Sequence, residues 1–331
     1  MGIKTVWMFS GQGSQFRGMG RTLYKTEATF RHWIERIDDL VKRDSGLSLI
    51  DQLYARSDAE PFDRLAATHP AIFAVEYALA KTLESKGLLP DLYFGASLGD
   101  YAVAALAGAY PLETIVTLLG ENARLVEQRC TPGFMLAVFG HPTLYDALPP
   151  LRRDSDLVGV NFDEHFVIAG NLSDLAPIEQ ALAAAQVISY RLPVPVGFHS
   201  RNTAPLAAHW SAVLAGLAPA RCAARPWFSC TPGAQLTTPA PDFFVRVALG
   251  PIRFREALQA VLAQHGHEQL LWVDLGPSGT MANFVAKNLA PDCQVFPLMT
   301  PYGNDGALMA HLLEAASTAS GHARPVAMSA H

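Results

Sequence analysis

Apolar positions along the chain alternate between short unbroken runs and longer runs at helical spacing, the signature of a layered α/β fold. The run over 6–9 is of buried-strand type and ends in Ser10-Gly11-Gln12-Gly13-Ser14-Gln15. A glycine-rich turn of this kind brings backbone close to a ligand at the end of a strand. Helical spacing follows over 26–42 and 47–54. Thr68-His69-Pro70 then predicts a helix over 71–86, with Pro70 in its first turn. Residues 91–94 form another short strand. It leads at once into Gly95-Ala96-Ser97-Leu98-Gly99 and an alanine-rich helix over 101–109. A further helix over 112–129 is stopped by Thr131-Pro132-Gly133.

From residue 135 the rhythm changes. A strand over 135–139, a short helix over 142–148, strands over 157–162 and 165–170, a helix over 175–185 and a strand over 188–192 follow in turn. That order, strand-helix-strand-strand-helix-strand, is the split βαβ arrangement of a ferredoxin-like unit. Pro193 and Pro195 close it, and the first rhythm resumes at Gly197-Phe198-His199-Ser200 with a helix over 203–217. Later units fall at 227–230, 240–248, 254–265, 270–275 and 281–289. The expected fold class is therefore α/β: a large α/β-hydrolase-like domain built from 1–131 and 198–316, with a ferredoxin-like subdomain inserted at 132–197. A polar, small-residue stretch, 317–331, reads as a flexible tail.

Composition narrows the classes of function. Half of the 331 residues are hydrophobic, enough for a large core. A net charge of −5 leaves no basic surface for nucleic acid. No apolar run is long enough to span a membrane, and the opening residues read as a strand rather than a signal peptide. Cys130, Cys222, Cys230 and Cys293 show neither a Cys-x-x-Cys nor a zinc spacing. The expectation is a cytoplasmic protein with no metal site, no cofactor of its own, and no nucleic-acid or membrane partner.

The chemistry points to Ser97. A serine on a tight strand-to-helix turn presents its hydroxyl outward, and its flanking glycines let substrate and neighbouring chain approach. The next backbone N–H, on Leu98, sits at a helix N-terminus and can stabilise an oxyanion. This suggests nucleophilic acyl transfer. The turn alone also fits a lipase or esterase of the α/β-hydrolase type, or a non-catalytic docking module that retains a glycine-rich loop.

Three landmarks occur in order: Gly11-Gln12-Gly13-Ser14-Gln15, Gly95-Ala96-Ser97-Leu98-Gly99 and Gly197-Phe198-His199-Ser200. With the inserted ferredoxin-like pattern, they resemble the malonyl-CoA:acyl carrier protein transacylase family, in particular the free-standing acyltransferase-like proteins of trans-acyltransferase polyketide synthases. The resemblance covers about residues 3–315. It implies that Ser97 is the nucleophile, His199 the general base, and the backbone N–H groups of Gln12 and Leu98 the oxyanion hole. It also implies that a backbone carbonyl orients the histidine in place of a carboxylate, at a position matching Val247. The implied partners are an acyl carrier protein and an acyl thioester on it, or an acyl-CoA, with the phosphopantetheine arm arriving on the substrate.

The chain departs from the family pattern where substrate is chosen. The run Asn122-Ala123-Arg124-Leu125-Val126 places Asn122 where the resemblance expects the arginine that grips a malonyl carboxylate. Asparagine has neither the charge nor the two-pronged geometry of that group. Arg124, two residues on, is turned about 200° around the helix. Ala96 stands in place of the usual His, Asp100 in place of Glu and His69 in place of Gln, the last expected to help position water. Phe198 is expected to shape the pocket, as in malonyl-selective members. Together these departures favour a hydrolase that clears acyl groups from carrier proteins during polyketide assembly. The alternative is a transacylase that loads malonyl or another acyl unit from coenzyme A. Arg201 and the pair Arg152 and Arg153 are candidates for contacting an acidic carrier.

Overall fold

The computed structural model describes residues 3–57, 60–266, 270–289, 291 and 293–319. Its strands are β1 Lys4–Phe9, β2 Leu92–Gly95, β3 Gly133–Phe139, β4 Asp156–Phe162, β5 His165–Asn171, β6 Ile188–Arg191, β7 Trp227–Ser229, β8 Ala234–Leu236, β9 Leu270–Asp274 and β10 Gln294–Pro297. Six of them form one sheet in the order β10-β9-β1-β2-β7-β8, and the other four form a second sheet in the order β4-β5-β3-β6.

The large sheet is parallel except where β8 returns along β7. Parallel strands buried on both faces read as continuous apolar runs, as β1 and β9 do. Trp7, Phe9 and Tyr93 join the core on one face, and Met8, Phe94 and Trp272 that on the other. The second sheet is antiparallel, with β3 between β5 and β6. Its helix Leu175–Ala184 packs Leu175, Ile178 and Leu182 against Phe134, Leu136 and Phe166. The molecule is thus a large α/β domain with a ferredoxin-like subdomain. The two chain crossings between them run side by side: Gly133 N–H donates to Pro195 O at 2.9 Å. Asn202 clasps this crossing, accepting from Gly197 N–H at 3.0 Å and donating to Thr131 Oγ1 at 2.9 Å and Asn171 Oδ1 at 2.7 Å.

Several elements differ from the sequence reading. The helix expected to open at Pro70 spans Leu65–Ser85, with Pro70 in its interior. Pro70 removes one helical hydrogen bond. Burial of Leu65, Ala67, Thr68 and His69 outweighs that loss, and Glu127 accepts from the otherwise free Ala66 N–H at 3.2 Å. The helix expected over 203–217 divides at Pro205 into a 3₁₀ turn, Arg201–Leu206, and the helix Ala207–Ala215. The helix Pro149–Asp154 and strands β8 and β10 carry too few apolar positions for a period to be read. The helix Asp305–Ala319 runs past the expected start of the tail at 317, and residues 320–331 lie outside the described residues. Among the described residues, no helix is long and apolar enough to cross a membrane.

Candidate active site

β1 and β2 are parallel neighbours, so the turns that follow them meet at one end of the sheet. Gly11, after β1, lies close enough to Ser97 that a Cβ added to it would come within 3.1 Å of the serine Cβ. Ser97 itself has φ +55°, the left-handed conformation that a sharp strand-to-helix turn imposes. The helix Gly99–Leu106 starts immediately behind it. Gly99 permits this turn because any side chain there would collide with the carbonyl oxygen of Phe9. Gly99→Ala is accordingly expected to cost about 2–3 kcal/mol of stability and to abolish labelling of Ser97 by a fluorophosphonate. Gly120→Ala, at an exposed helical position with open space around it, should be neutral or stabilising. Urea unfolding of both variants checks this pair.

His199 also sits at positive φ, +62°, just after the crossing from the subdomain. Its Nδ1 lies 2.8 Å from Gly250 O, and its Nε2 lies 2.8 Å from Ser97 Oγ. A carbonyl only accepts, so Nδ1 carries the proton. Nε2 is then free to accept from the serine hydroxyl. The orienting carbonyl belongs to Gly250, not Val247 as the resemblance implied. Val247 lies inside the helix Phe243–Leu249, where carbonyls run along the helix axis. Gly250 is the extended residue that ends it, and Pro251 after it has no N–H to compete. Val247 instead lines the cavity beside the serine.

The Ser97 turn is braced by Asp100. This buried carboxylate accepts from Trp227 Nε1 at 3.0 Å, Ser229 Oγ at 2.7 Å and Thr231 Oγ1 at 3.2 Å. Burial still raises its pKa to about 7. The next strand-end residue, Cys230, donates its N–H to Gly95 O and accepts from Arg253 N–H. One lattice of bonds thus ties the Ser97 turn to the segment that presents Gly250.

Ser97 and His199 open into a cavity of about 390 Å³ between the two domains. It is also lined by Gln12, Leu98, His69, Ala96, Asn122 and Phe198. Neither Gln12 N–H nor Leu98 N–H donates to another group among the described residues, so both remain available at the mouth of the helix dipole. Asn122 is buried, whereas Arg124 is on the outer face of the same helix, held by Glu121 and Gln128. Among the described residues, no lysine, arginine, aspartate or glutamate lines the cavity. Burial lowers the pKa of both His69 and His199 to about 4, so both imidazoles are uncharged at neutral pH.

At the subdomain end, the cavity reaches His165 and Asn161, which sequence reasoning passed over. Asn161 Nδ2 lies 3.0 Å from His165 Nδ1, and Phe139, Phe162 and Phe284 box in the ring. Asn202 and Gly250 were likewise missed. No local pattern marks a side chain or carbonyl that acts only through a distant partner. The three arginines considered for docking are neutralised locally: Arg152 by Asp146, Arg153 by Asp154 and Arg201 by Asp156.

The profile of the acyl transferase domain matches residues 6–324. The chain belongs to the acyl transferase domain family. It is similar to the polyketide biosynthesis protein ThaF of Burkholderia thailandensis, with 48% identity over 90% of this chain. That match occupies 26% of ThaF, so the chain spans about a quarter of that relative. It is 39% identical to the polyketide biosynthesis acyltransferase homolog BaeD of Bacillus velezensis, covering 90% of this chain and 92% of BaeD. Among solved structures, the acyltransferase domain from the second module of the salinomycin polyketide synthase superposes with a TM-score of 0.83 at 27% identity, covering 96% of this chain and 74% of that one. These likenesses are to proteins of polyketide biosynthesis and to acyltransferase domains of polyketide synthases.

Proposed function

We propose that this acyltransferase-fold protein hydrolyses uncharged acyl groups from acyl carrier proteins during polyketide assembly. The observation that carries the reading is that, among the described residues, no lysine or arginine lines the cavity around Ser97. A malonyl carboxylate would be buried there without a partner, at a cost an uncharged acyl chain does not meet.

The chemistry follows from the proton positions. Ser97 Oγ attacks the thioester carbonyl while its proton passes to His199 Nε2. Gly250 O, bonded to Nδ1–H, holds the ring and stabilises the imidazolium. The N–H groups of Gln12 and Leu98 receive the oxyanion. The carbon–sulfur bond breaks, and the carrier thiol leaves with the proton from Nε2. Water then attacks the acyl-Ser97 carbonyl, giving its proton to Nε2. Collapse releases the carboxylic acid and returns the proton to Ser97. Replacing the water by a second thiol would make the same machinery a transacylase. The naming of BaeD as an acyltransferase homolog keeps that second reading in play.

Because the base is uncharged down to about pH 4, activity should persist into acid. The sign is fixed: His199 accepts a proton only when neutral, so a lowered pKa moves the acid limb down. Acylation of Ser97 at pH 5 should stay within about twofold of its rate at pH 7, where a base of ordinary pKa would lose about 25-fold. Quenched-flow intact mass spectrometry measures this. For the function itself, carriers loaded with acetyl, a longer acyl chain or malonyl are mixed with the protein, alongside malonyl-CoA with empty carrier. Rapid loss of the uncharged acyl groups with little malonyl loading is expected. Efficient malonyl loading would overturn the reading.

A further inference from the structure

Where the helix Leu112–Arg129 faces the cavity, the lining is mostly apolar, with side chains such as Leu119, Val126 and, nearby, Leu206. Set into it are polar groups with unused hydrogen-bonding capacity. The side chain of Asn122, a residue 8% exposed, makes no hydrogen bond among the described residues. His69, 3% exposed, makes no side-chain hydrogen bond among the described residues; its Nδ1 is enclosed by protein, which leaves Nε2 as the ring nitrogen the cavity can reach. Gln12 is not among the groups a ligand can reach: its Nε2–H is spent on Thr68 Oγ1 at 2.8 Å, and its Oε1, though unpartnered, is enclosed by protein. Asn122 and His69 come from two helices packed against each other, Leu112–Arg129 and Leu65–Ser85, and both line the cavity that contains Ser97. Buried polar groups are ordinarily satisfied, and those left open in a pocket mark what a ligand must supply.

Resting on the reading of uncharged acyl substrates, we propose that the chain this site selects carries a neutral oxygen, a hydroxyl or ketone, that pairs with Asn122 and His69. A plain alkyl chain would displace water from these groups and leave them unpaired. A carboxylate would require a cation that the lining lacks. A hydroxyl or ketone fits: the amide offers both donor and acceptor, and the uncharged imidazole of His69 offers Nε2, a donor or an acceptor according to the tautomer.

The test uses the full chain and one carrier protein loaded with butyryl, β-hydroxybutyryl, β-ketobutyryl or malonyl. The readout is the initial rate of acyl-Ser97 formation. That adduct forms whether water or a thiol follows, so a transferase outcome would sink the proposed function and still read out this selectivity. The oxygenated chains should acylate at least about tenfold faster than butyryl. Asn122→Leu, which replaces the amide by an apolar group of similar size, should narrow that ratio to below about threefold. Equal rates for butyryl and the oxygenated chains in the parent protein would overturn the proposal without recourse to any variant. So would a preference that survives both Asn122→Leu and His69→Phe. If the variants change only deacylation, the open groups hold the attacking water, and the assignment to an acyl oxygen fails.

Discussion

Loss of His199 is expected to slow acylation of Ser97 by about 10,000-fold. Among the described residues, the hydroxyl of Ser97 has one basic partner, Nε2 at 2.8 Å, and no carboxylate lines the cavity to take its place. Water entering the space could accept the proton, but it lacks the ring's fixed position and its bond to Gly250 O. The choice of variant matters because His199 lies at φ +62°. Alanine would add backbone strain to the loss of the base. Asparagine tolerates the left-handed region and keeps the fold. His199→Asn should therefore unfold at nearly the parent's urea midpoint while losing acylation, and Ser97→Ala should show no acyl adduct at any time. Intact mass spectrometry with an acyl-loaded carrier reads both. A His199→Asn protein that acylates within tenfold of the parent would mean that another base serves Ser97.

The parts of this site that were legible in the sequence are those whose constraint is local. Ser97 and Gly99 are fixed by a turn a few residues long, and that turn demands small residues wherever they fall. His199 was legible because the Gly-Phe-His-Ser motif stands at the return from an insertion whose strand-helix rhythm differs from its surroundings. What stayed hidden depends on distant partners. The carbonyl that orients His199 could be placed only approximately, because a main-chain oxygen leaves no mark on side-chain identity. The helix end at Gly250 decided it. The interior position of Pro70 was hidden for a similar reason: local propensity argued for a helix start, and burial of the preceding turn overrode it. The surface arginines looked available until their carboxylate neighbours were placed beside them.

Asn122→Arg is expected to reverse the acyl preference, raising the malonyl-to-acetyl ratio of Ser97 acylation by about 30-fold or more. That corresponds to about 2 kcal/mol, the low end for a buried charge-assisted carboxylate contact. The substitution sets a guanidinium in a cavity whose lining holds no carboxylate, so in the free protein the new charge has no partner. The variant should consequently melt below the parent and regain stability when a malonyl group occupies Ser97, because ligand binding and stability are linked. Arg124 cannot already play this part. It is committed to Glu121 and Gln128 on the outer face of the helix. The two readouts guard each other. A higher malonyl ratio with ligand-dependent stabilisation would place position 122 against the acyl group's free end. Lower stability with an unchanged ratio would mean that the guanidinium has turned away from the acyl group, and that another feature of the cavity sets its charge preference.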